Sequence, residues 1–274
     1  MKYSVDYSNR IKMNDFDEIR ISCEPTKVSY LEDFLSKWQE KEIVVVIKES
    51  DIDDFYYGRQ WEPLNALYSQ YKNFSVCICA LSQFHELQDN ATLFMNTLEA
   101  PVFTGLIVTN FDELEYIVRI GAKQVYLSEE ICFDLKRAKR VCDRHGVTIR
   151  AFPNVAQSGV RSGSAHKKFF IRPEDVEFYS QYIDTLEFWG PLDRQEIILN
   201  IYKDKYWFGD LKDLILDLNL SIDSMRIIPT FATLRANCNR KCMKGGFCSA
   251  CDSILNIEKK LKENNLIIET NNPL

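Results

Sequence analysis

Short apolar runs rich in β-branched residues alternate along this chain with segments of helical periodicity. Ile43 to Lys48 reads IVVVIK, a continuous apolar run of the kind that forms a strand covered on both faces. Alternation of strands with helices predicts parallel pairing of the strands. The runs are Asp17 to Cys23, Ile43 to Lys48, Phe74 to Leu81, Phe103 to Val108, Gln124 to Leu127, Val147 to Phe152, Thr185 to Trp189 and Met225 to Pro229.

The helical segments between these runs have recognisable ends. Asn110 is a good N-cap, and Glu113 follows it three residues later in the capping-box position. Gly121 and Gly146 stand where a glycine commonly follows the end of a helix. The clearest predicted helices are Asn110 to Ile120, Cys132 to His145, Pro173 to Tyr182 and Leu192 to Tyr202.

Eight strand candidates separated by helices predict an α/β fold, a (β/α)8 barrel of the TIM-barrel type. A doubly wound open sheet is the alternative. The length of 274 residues fits a single barrel. We expect one barrel domain over residues 1–264, with a four-cysteine segment at 238–251 after the last strand, and a flexible tail over 265–274.

Composition narrows the classes of partner. The formal net charge is -6, which argues against a broad phosphate-binding surface. The sequence has no apolar run long enough for a signal peptide at its start or for a membrane span elsewhere. Nine cysteines without a signal peptide fit a reducing compartment. We therefore expect a cytoplasmic protein without a membrane partner.

Four cysteines lie within one short segment near the C-terminal end. Their pattern is C-x3-C-x5-C-x2-C, with Gly245 and Gly246 between the two pairs. Close pairs let a local turn aim two sulfurs at one centre, and the glycines let the second pair fold back onto the first. On these residues alone, zinc and an iron–sulfur cluster both remain open. The predicted ligands are Cys238, Cys242, Cys248 and Cys251.

Polar and aromatic residues at the ends of the predicted strands suggest a substrate pocket, because the working face of a barrel is at the C-terminal ends of its strands. Trp189 is expected to stack on an aromatic ring of the substrate. A basic loop after the sixth predicted strand is expected to hold an anionic group. The predicted substrate-binding residues are Asn154, Gln157, Arg161, His166, Lys167, Lys168, Glu187 and Trp189. Cys23 ends a strand, and whether it belongs to the site stays open.

Several common catalytic motifs are missing. The chain contains no P-loop, no G-x-G-x-x-G after its first predicted strand, no H-E-x-x-H and no G-x-S-x-G. Nucleotide hydrolysis, Rossmann redox chemistry, zincin proteolysis and serine hydrolysis therefore lose support. The cysteine spacing also differs from the C-x3-C-x2-C of radical-SAM enzymes.

Within residues 101–157, Gly121-Ala122 is followed by Val125-Tyr126 and then by the extended stretch Val147 to Asn154. In these features the segment resembles the barrel of the U32 peptidase-like family. It implies an iron–sulfur protein of the type that hydroxylates RNA bases or a quinone precursor without oxygen. It also implies that the four cysteines hold a [4Fe–4S] cluster, which favours that cluster over zinc.

Three functions follow as hypotheses. The first is a U32-like iron–sulfur enzyme that modifies an RNA base or a small aromatic or anionic substrate, with a protein partner supplying electrons. The second is a non-catalytic barrel that acts as a binding or accessory subunit, in which a four-cysteine zinc site is structural. A peptidase ranks third, because no nucleophile–base pair or hydrolytic metal motif is present. The sequence assigns no catalytic residue.

Overall fold

The structure is a computed structural model that describes most of the chain up to Ala236 and one short segment beyond it. The described residues are 1–8, 12–24, 27–48, 51, 59, 61–78, 97–105, 107–132, 134–155, 169–218, 220–224, 227, 230–236 and 267–269.

Within the described residues, the main sheet contains nine strands, and every pairing in it is parallel. The strands are β1 (Lys2–Asp6), β2 (Glu18–Ser22), β3 (Glu42–Ile47), β4 (Phe74–Ile78), β5 (Val102–Thr104), β6 (Ile107–Val108), β7 (Gln124–Leu127), β8 (Thr148–Ala151) and β9 (Thr185–Glu187). Their spatial order is β5-β4-β3-β2-β1-β9-β8-β7-β6. The predicted parallel α/β class is confirmed.

The sheet closes on itself because its two end strands are consecutive parts of one chain segment. β5 pairs with β4, and β6 pairs with β7. The amide of Lys123 also donates to the carbonyl of Val102 at 3.1 Å, which bonds the start of the β5 segment to the chain entering β7. Because β5 and β6 share one position, the nine strands occupy eight positions of a closed parallel barrel.

Helices follow the strands and cover the outside of this barrel. They are α1 (Val28–Lys37), α2 (Trp61–Gln70), α3 (Phe111–Arg119), α4 (Glu129–Cys132), α5 (Leu135–Arg144), α6 (Val176–Tyr179), α7 (Leu192–Asp204) and α8 (Phe231–Ala236). In α3, Leu114, Ile117 and Val118 are buried at helical spacing. The predicted cap is present, since the Asn110 side chain accepts from the amide of Glu113 at 2.9 Å.

The apolar residues form two separate groups, one between sheet and helices and one inside the barrel. The interior group consists of Val44, Val46, Cys77, Phe103, Tyr126 and Phe152. These side chains alternate along their strands with residues of the outer group, as the two faces of a closed sheet require.

The barrel interior also contains charged side chains. Arg150 is fully buried on β8 and donates to the carboxylate of Glu18, including a contact from Nη1 to Oε2 of 2.9 Å. Its Nη2 also donates to Glu187 Oε2 at 3.2 Å and to the hydroxyl of Ser4 at 3.1 Å. Burial opposes ionisation of Glu18, but the charge and hydrogen bonds of Arg150 outweigh it and hold the pKa of Glu18 below its ordinary value. The charges therefore compensate each other inside the barrel.

The structure differs from the sequence-based expectations at the first strand and at the predicted eighth strand. The first strand of the barrel is β1, which the sequence pattern does not reveal because Lys2–Asp6 is mostly polar. Residues Met225 to Pro229 were predicted as the eighth strand, but Ile227 is a bend and the other four residues lie outside the described ones. Within the predicted tail over 265–274, the described residues Ile267–Glu269 form β11, which pairs antiparallel with β10 (Leu220–Ile222). Its apolar β-branched residues favour a strand.

Removal of Arg150 should destabilise the barrel strongly. We expect Arg150→Met to lower the free energy of unfolding by about 3–5 kcal/mol, because it removes the arginine that bonds the buried Glu18 and one of the two that pair with the buried Glu187. Arg144→Met, which removes an exposed arginine from the end of α5, is the matched control and should change the free energy of unfolding by less than about 0.5 kcal/mol. Urea denaturation measures both, and an R150M variant as stable as the wild type would contradict the interior ion network.

Candidate functional site

The mouth of the barrel, at the C-terminal ends of its strands, is organised around the carboxylate of Glu187. This side chain is buried at the end of β9 and accepts from four groups. Its Oε2 accepts from the hydroxyl of Tyr126 at 2.5 Å and from Arg150 at 3.2 Å. Its Oε1 accepts from the indole Nε1 of Trp189 at 3.0 Å and pairs with Nη1 of Arg20. Glu187 therefore connects the interior charges to the mouth.

Trp189 is a large aromatic side chain that the barrel leaves 48 % exposed at this mouth. Its ring is held by the hydrogen bond to Glu187. Its backbone is held by Asn154, whose side-chain amide donates to the Trp189 carbonyl at 2.6 Å and accepts from the Trp189 amide at 3.1 Å. An exposed indole fixed at both ring and backbone presents a preorganised surface for stacking.

An apolar column leads from the barrel interior to Trp189. The rings of Tyr126 and Phe152 stack with centroids 5.1 Å apart, and Phe152 lies 4.9 Å from Trp189. Beside them, the Leu216 amide donates to the Asn154 carbonyl at 2.8 Å. Leu216 is partly exposed, so an apolar side chain borders the mouth next to the buried polar residues Asn154 and Glu187.

Gly190 turns the chain immediately after Trp189. Its φ is +124°, a conformation that side chains rarely adopt. A Cβ at this position would also lie 3.5 Å from Leu216 Cδ1. That distance is an ordinary van der Waals contact, so it is the positive φ of the turn, and not the packing of Leu216, that favours glycine here.

The buried side chains of Tyr126 and Arg20, which contact Glu187, remain hydrogen-bond donors. Burial raises the pKa of Tyr126, so its hydroxyl stays protonated and can donate to Glu187. Arg20 lies on β2 with 8 % of its side chain exposed, and its Nη1 also approaches the Tyr126 oxygen at 3.3 Å. A carboxylate held between two guanidinium groups and a hydroxyl has little freedom to rotate.

Three of the predicted substrate-binding residues are brought together by the fold. Asn154, Glu187 and Trp189 form one hydrogen-bonded group at the mouth. Asn154 and Glu187 are buried, so they position Trp189, whose ring reaches the surface. The other predicted residues of the pocket, Gln157, Arg161, His166, Lys167 and Lys168, lie outside the described residues.

The predicted metal ligands Cys238, Cys242, Cys248 and Cys251 also lie outside the described residues. Within the described ranges, no group of three or more histidine, cysteine, aspartate or glutamate side chains could hold a metal ion. α8 is the last described helix before the cysteine segment, and its Phe231 stacks on Phe170. The next residue, Ile171, donates its amide to the carbonyl of Pro153 just after β8, which places α8 near the mouth.

Sequence reasoning missed Arg20, Tyr126 and Arg150 as residues of the site. Each lies inside a strand and not at its end. The signal that could have found them is a charged or hydroxyl-bearing residue at every second position of an otherwise apolar strand, as in Glu18-Ile-Arg20. In a closed barrel the helix-covered face is the apolar one, so these polar positions face the interior.

Cys23 is poorly suited to act as a nucleophile. It is buried after the end of β2, and its Sγ contacts the carbonyl of Glu24 at 3.6 Å. Burial, together with the charges of Glu24 and Asp51, raises the pKa of the Cys23 thiol to about 11. The thiol therefore stays protonated near neutral pH, and reactive cysteines require the thiolate.

Comparisons with known proteins add no function. No protein-family model matches the chain, and no curated protein matches it. Similar solved structures include an enolase protein from environmental shotgun sequencing of the Sargasso Sea, with 7% identity and a TM-score of 0.44 over 68% of this chain. The chain spans about half of that protein, 53% of its length.

Two further solved structures are spanned almost completely. One is 3-hexulose-6-phosphate synthase from Salmonella typhimurium, with 13% identity, a TM-score of 0.40, and coverage of 75% of this chain and 100% of that one. The other is orotidine 5'-phosphate decarboxylase from Thermotoga maritima, with 9% identity, a TM-score of 0.40, and coverage of 75% and 99%. These values are too low to support any inference about function.

The helices within the described ranges are too short or too polar to cross a membrane.

Cys23 should resist alkylation in the native protein. With a pKa of about 11, only about one thiol in a thousand is ionised at pH 8. We expect mass spectrometry to detect little iodoacetamide adduct at Cys23 in the folded chain at pH 8, and complete labelling after unfolding in guanidinium chloride. Labelling of Cys23 at the same rate in both samples would show that the thiol is accessible and reactive.

Proposed function

We propose that this protein is an enzyme that binds a small aromatic or heteroaromatic substrate, free or as an RNA base, at the mouth of the barrel. The observation that carries the proposal is Trp189, half exposed and yet fixed by hydrogen bonds from Asn154 and to Glu187. Stacking on an aromatic side chain is a common and favourable way of binding a planar ring. The reaction proposed is a hydroxylation that does not use oxygen, as the U32-like resemblance implies.

In this proposal Cys238, Cys242, Cys248 and Cys251 hold a [4Fe–4S] cluster. Four thiolates are a suitable donor set both for this cluster and for zinc, so the donor chemistry fits the group. Ala236, the end of α8, precedes Cys238 by two residues in the chain. With water as the source of the oxygen atom, hydroxylation removes two electrons and two protons from the substrate, and a cluster held by these cysteines would pass the electrons one at a time to an oxidising protein partner.

The chain's own residues have positioning roles in this scheme. Trp189 binds the ring of the substrate, and Asn154 fixes the backbone of Trp189. Glu187 orients the indole, and Arg20, Arg150 and Tyr126 hold Glu187 in place. The basic residues Arg161, His166, Lys167 and Lys168 are proposed to bind an anionic group of the substrate, such as a phosphate.

A second function is favoured by one observation. Among the described residues, the buried acids and bases of the interior are paired with each other: Glu18 and Glu187 with Arg150 and Arg20. A fully paired network stabilises a fixed shape, which suits a non-catalytic barrel that acts as a binding or accessory subunit. In that case the four cysteines hold a structural zinc ion, and a partner protein carries out the chemistry.

Metal analysis should separate the two functions. For the full chain purified without oxygen, we expect about four iron and four sulfide per chain and a visible absorption band lost on exposure to air. Cys248→Ser should lose most of the iron, since each thiolate is a ligand. Cys142→Ala is the matched control: burial raises the pKa of the Cys142 thiol to about 12, so it stays protonated and its removal should leave the iron content unchanged.

One zinc per chain without iron or sulfide would contradict the enzyme and favour the accessory subunit.

A second experiment compares the modified nucleosides and the metabolites of cells with and without the gene, grown without oxygen. The enzyme predicts that a modified nucleoside or a hydroxylated aromatic metabolite disappears when the gene is removed. No change in either class of compound, together with a redox-inactive metal, would rule out the proposed reaction.

A further inference from the structure

Asp6 and Trp189 are connected at the mouth through Arg20 and Glu187: Arg20 Nε lies 3.6 Å from Asp6 Oδ1, and Arg20 Nη1 pairs with the Glu187 oxygen that accepts from the Trp189 indole. In the parallel pairing of β1 with β9, Ser4 is opposite Glu187. Asp6 is the last residue of β1, two positions after Ser4, and Trp189 lies two positions after Glu187, just beyond the end of β9. Ser4 contacts the interior residues Glu18 and Arg150, so Asp6, two positions later, faces the same side of the sheet.

The Asp6 carboxylate is accessible, unlike the carboxylates below it. Its side chain is 58 % exposed, whereas those of Glu18 and Glu187 are 2 % and 1 % exposed. Within the described residues, the charged partner of Asp6 is Arg20, whose Nε lies 3.6 Å from Asp6 Oδ1, and that nitrogen makes no hydrogen bond. Asp6 is therefore oriented by a neighbouring charge while its oxygens stay available to a ligand.

Arg20, in contrast, is not available for a ligand anion. It is 8 % exposed and already contacts Glu187 and Tyr126. The two interior arginines balance Glu18 and Glu187, which leaves Asp6 as an additional negative charge beside the exposed indole. A ligand ring on Trp189 thus meets a carboxylate acceptor at its edge, and an anionic ring would be repelled there.

We propose that Asp6 is the residue that recognises the substrate, and that the substrate ring is a neutral heterocycle with adjacent N–H donors, as in guanine. The ring stacks on Trp189, and its N–H groups donate to the two oxygens of Asp6 in a bidentate contact. A planar carboxylate matches two parallel N–H donors. This inference rests on the mouth site of the proposed function but not on the metal bound by the cysteines.

Calorimetric titration of the full chain with guanosine and inosine tests the assignment. Inosine lacks the 2-amino group and can donate only one of the two N–H groups. We expect guanosine to bind several-fold more tightly than inosine, and Asp6→Asn to weaken guanosine binding about tenfold or more, since the variant removes a charged acceptor. 4-Hydroxybenzoate, an anionic ring, should bind the wild type more weakly than guanosine and should not be weakened by Asp6→Asn.

Asp33→Asn is the matched control, because it removes one exposed carboxylate from α1 and should leave guanosine binding unchanged. Thermal melting checks that both variants fold. A short single-stranded RNA containing guanosine, titrated in parallel, distinguishes a base within RNA from a free nucleoside, and binding that depends on Asp6 in either titration supports the assignment.

Equal affinity of the wild type for guanosine and inosine would overturn the proposal, as would guanosine binding unaffected by Asp6→Asn or the absence of saturable binding in both titrations. These outcomes are independent of the metal analysis. A chain that holds zinc and still binds guanosine through Asp6 would contradict the proposed reaction and keep this inference.

Discussion

The buried carboxylate of Glu187 joins the interior of the barrel to its mouth. Removal of two acids and two arginines from water is costly, and it is offset only where the charges meet in good geometry. Here Glu187 accepts from Arg150 and Tyr126 through one oxygen and contacts Arg20 and Trp189 through the other. The barrel therefore needs one arrangement of β2, β7, β8 and β9 to satisfy this single group.

The contacts that fix Glu187 also fix the side chain of Trp189 at the surface. Since Glu187 is fixed from below, the indole bonded to it is fixed as well, and Asn154 holds the adjoining backbone. Trp189 reaches the solvent without the freedom of an ordinary surface side chain. A rigid aromatic surface loses little conformational entropy when a ring stacks on it. Beside it, Asp6 adds an accessible charge. The mouth thus combines a rigid aromatic surface with one exposed carboxylate that can discriminate between substrate rings.

The sequence predicted the parallel α/β class and most helices because their periodicity is strong, as in α3 with its Asn110 cap. It also grouped Asn154, Glu187 and Trp189 at the strand ends, where the structure joins them by hydrogen bonds, and their role in binding a substrate stays a prediction. It missed β1 because Ser4 and Asp6 made that strand look polar. The interior network was beyond prediction: Arg150 and Glu18 are 132 residues apart, and only the strand register brings them together. The prediction that the four cysteines bind a metal centre still rests on their spacing in the sequence.

The most direct test of the central claim is the exchange of the Trp189 indole proton with water, measured by NMR on the ¹⁵N-labelled chain. Trp189→Phe assigns the signal among the four tryptophans. Although the side chain is half exposed, its hydrogen bond to Glu187 should slow exchange about tenfold or more relative to free tryptophan. Exchange at the rate of free tryptophan would mean that Glu187 does not hold the indole and that the mouth is not preorganised.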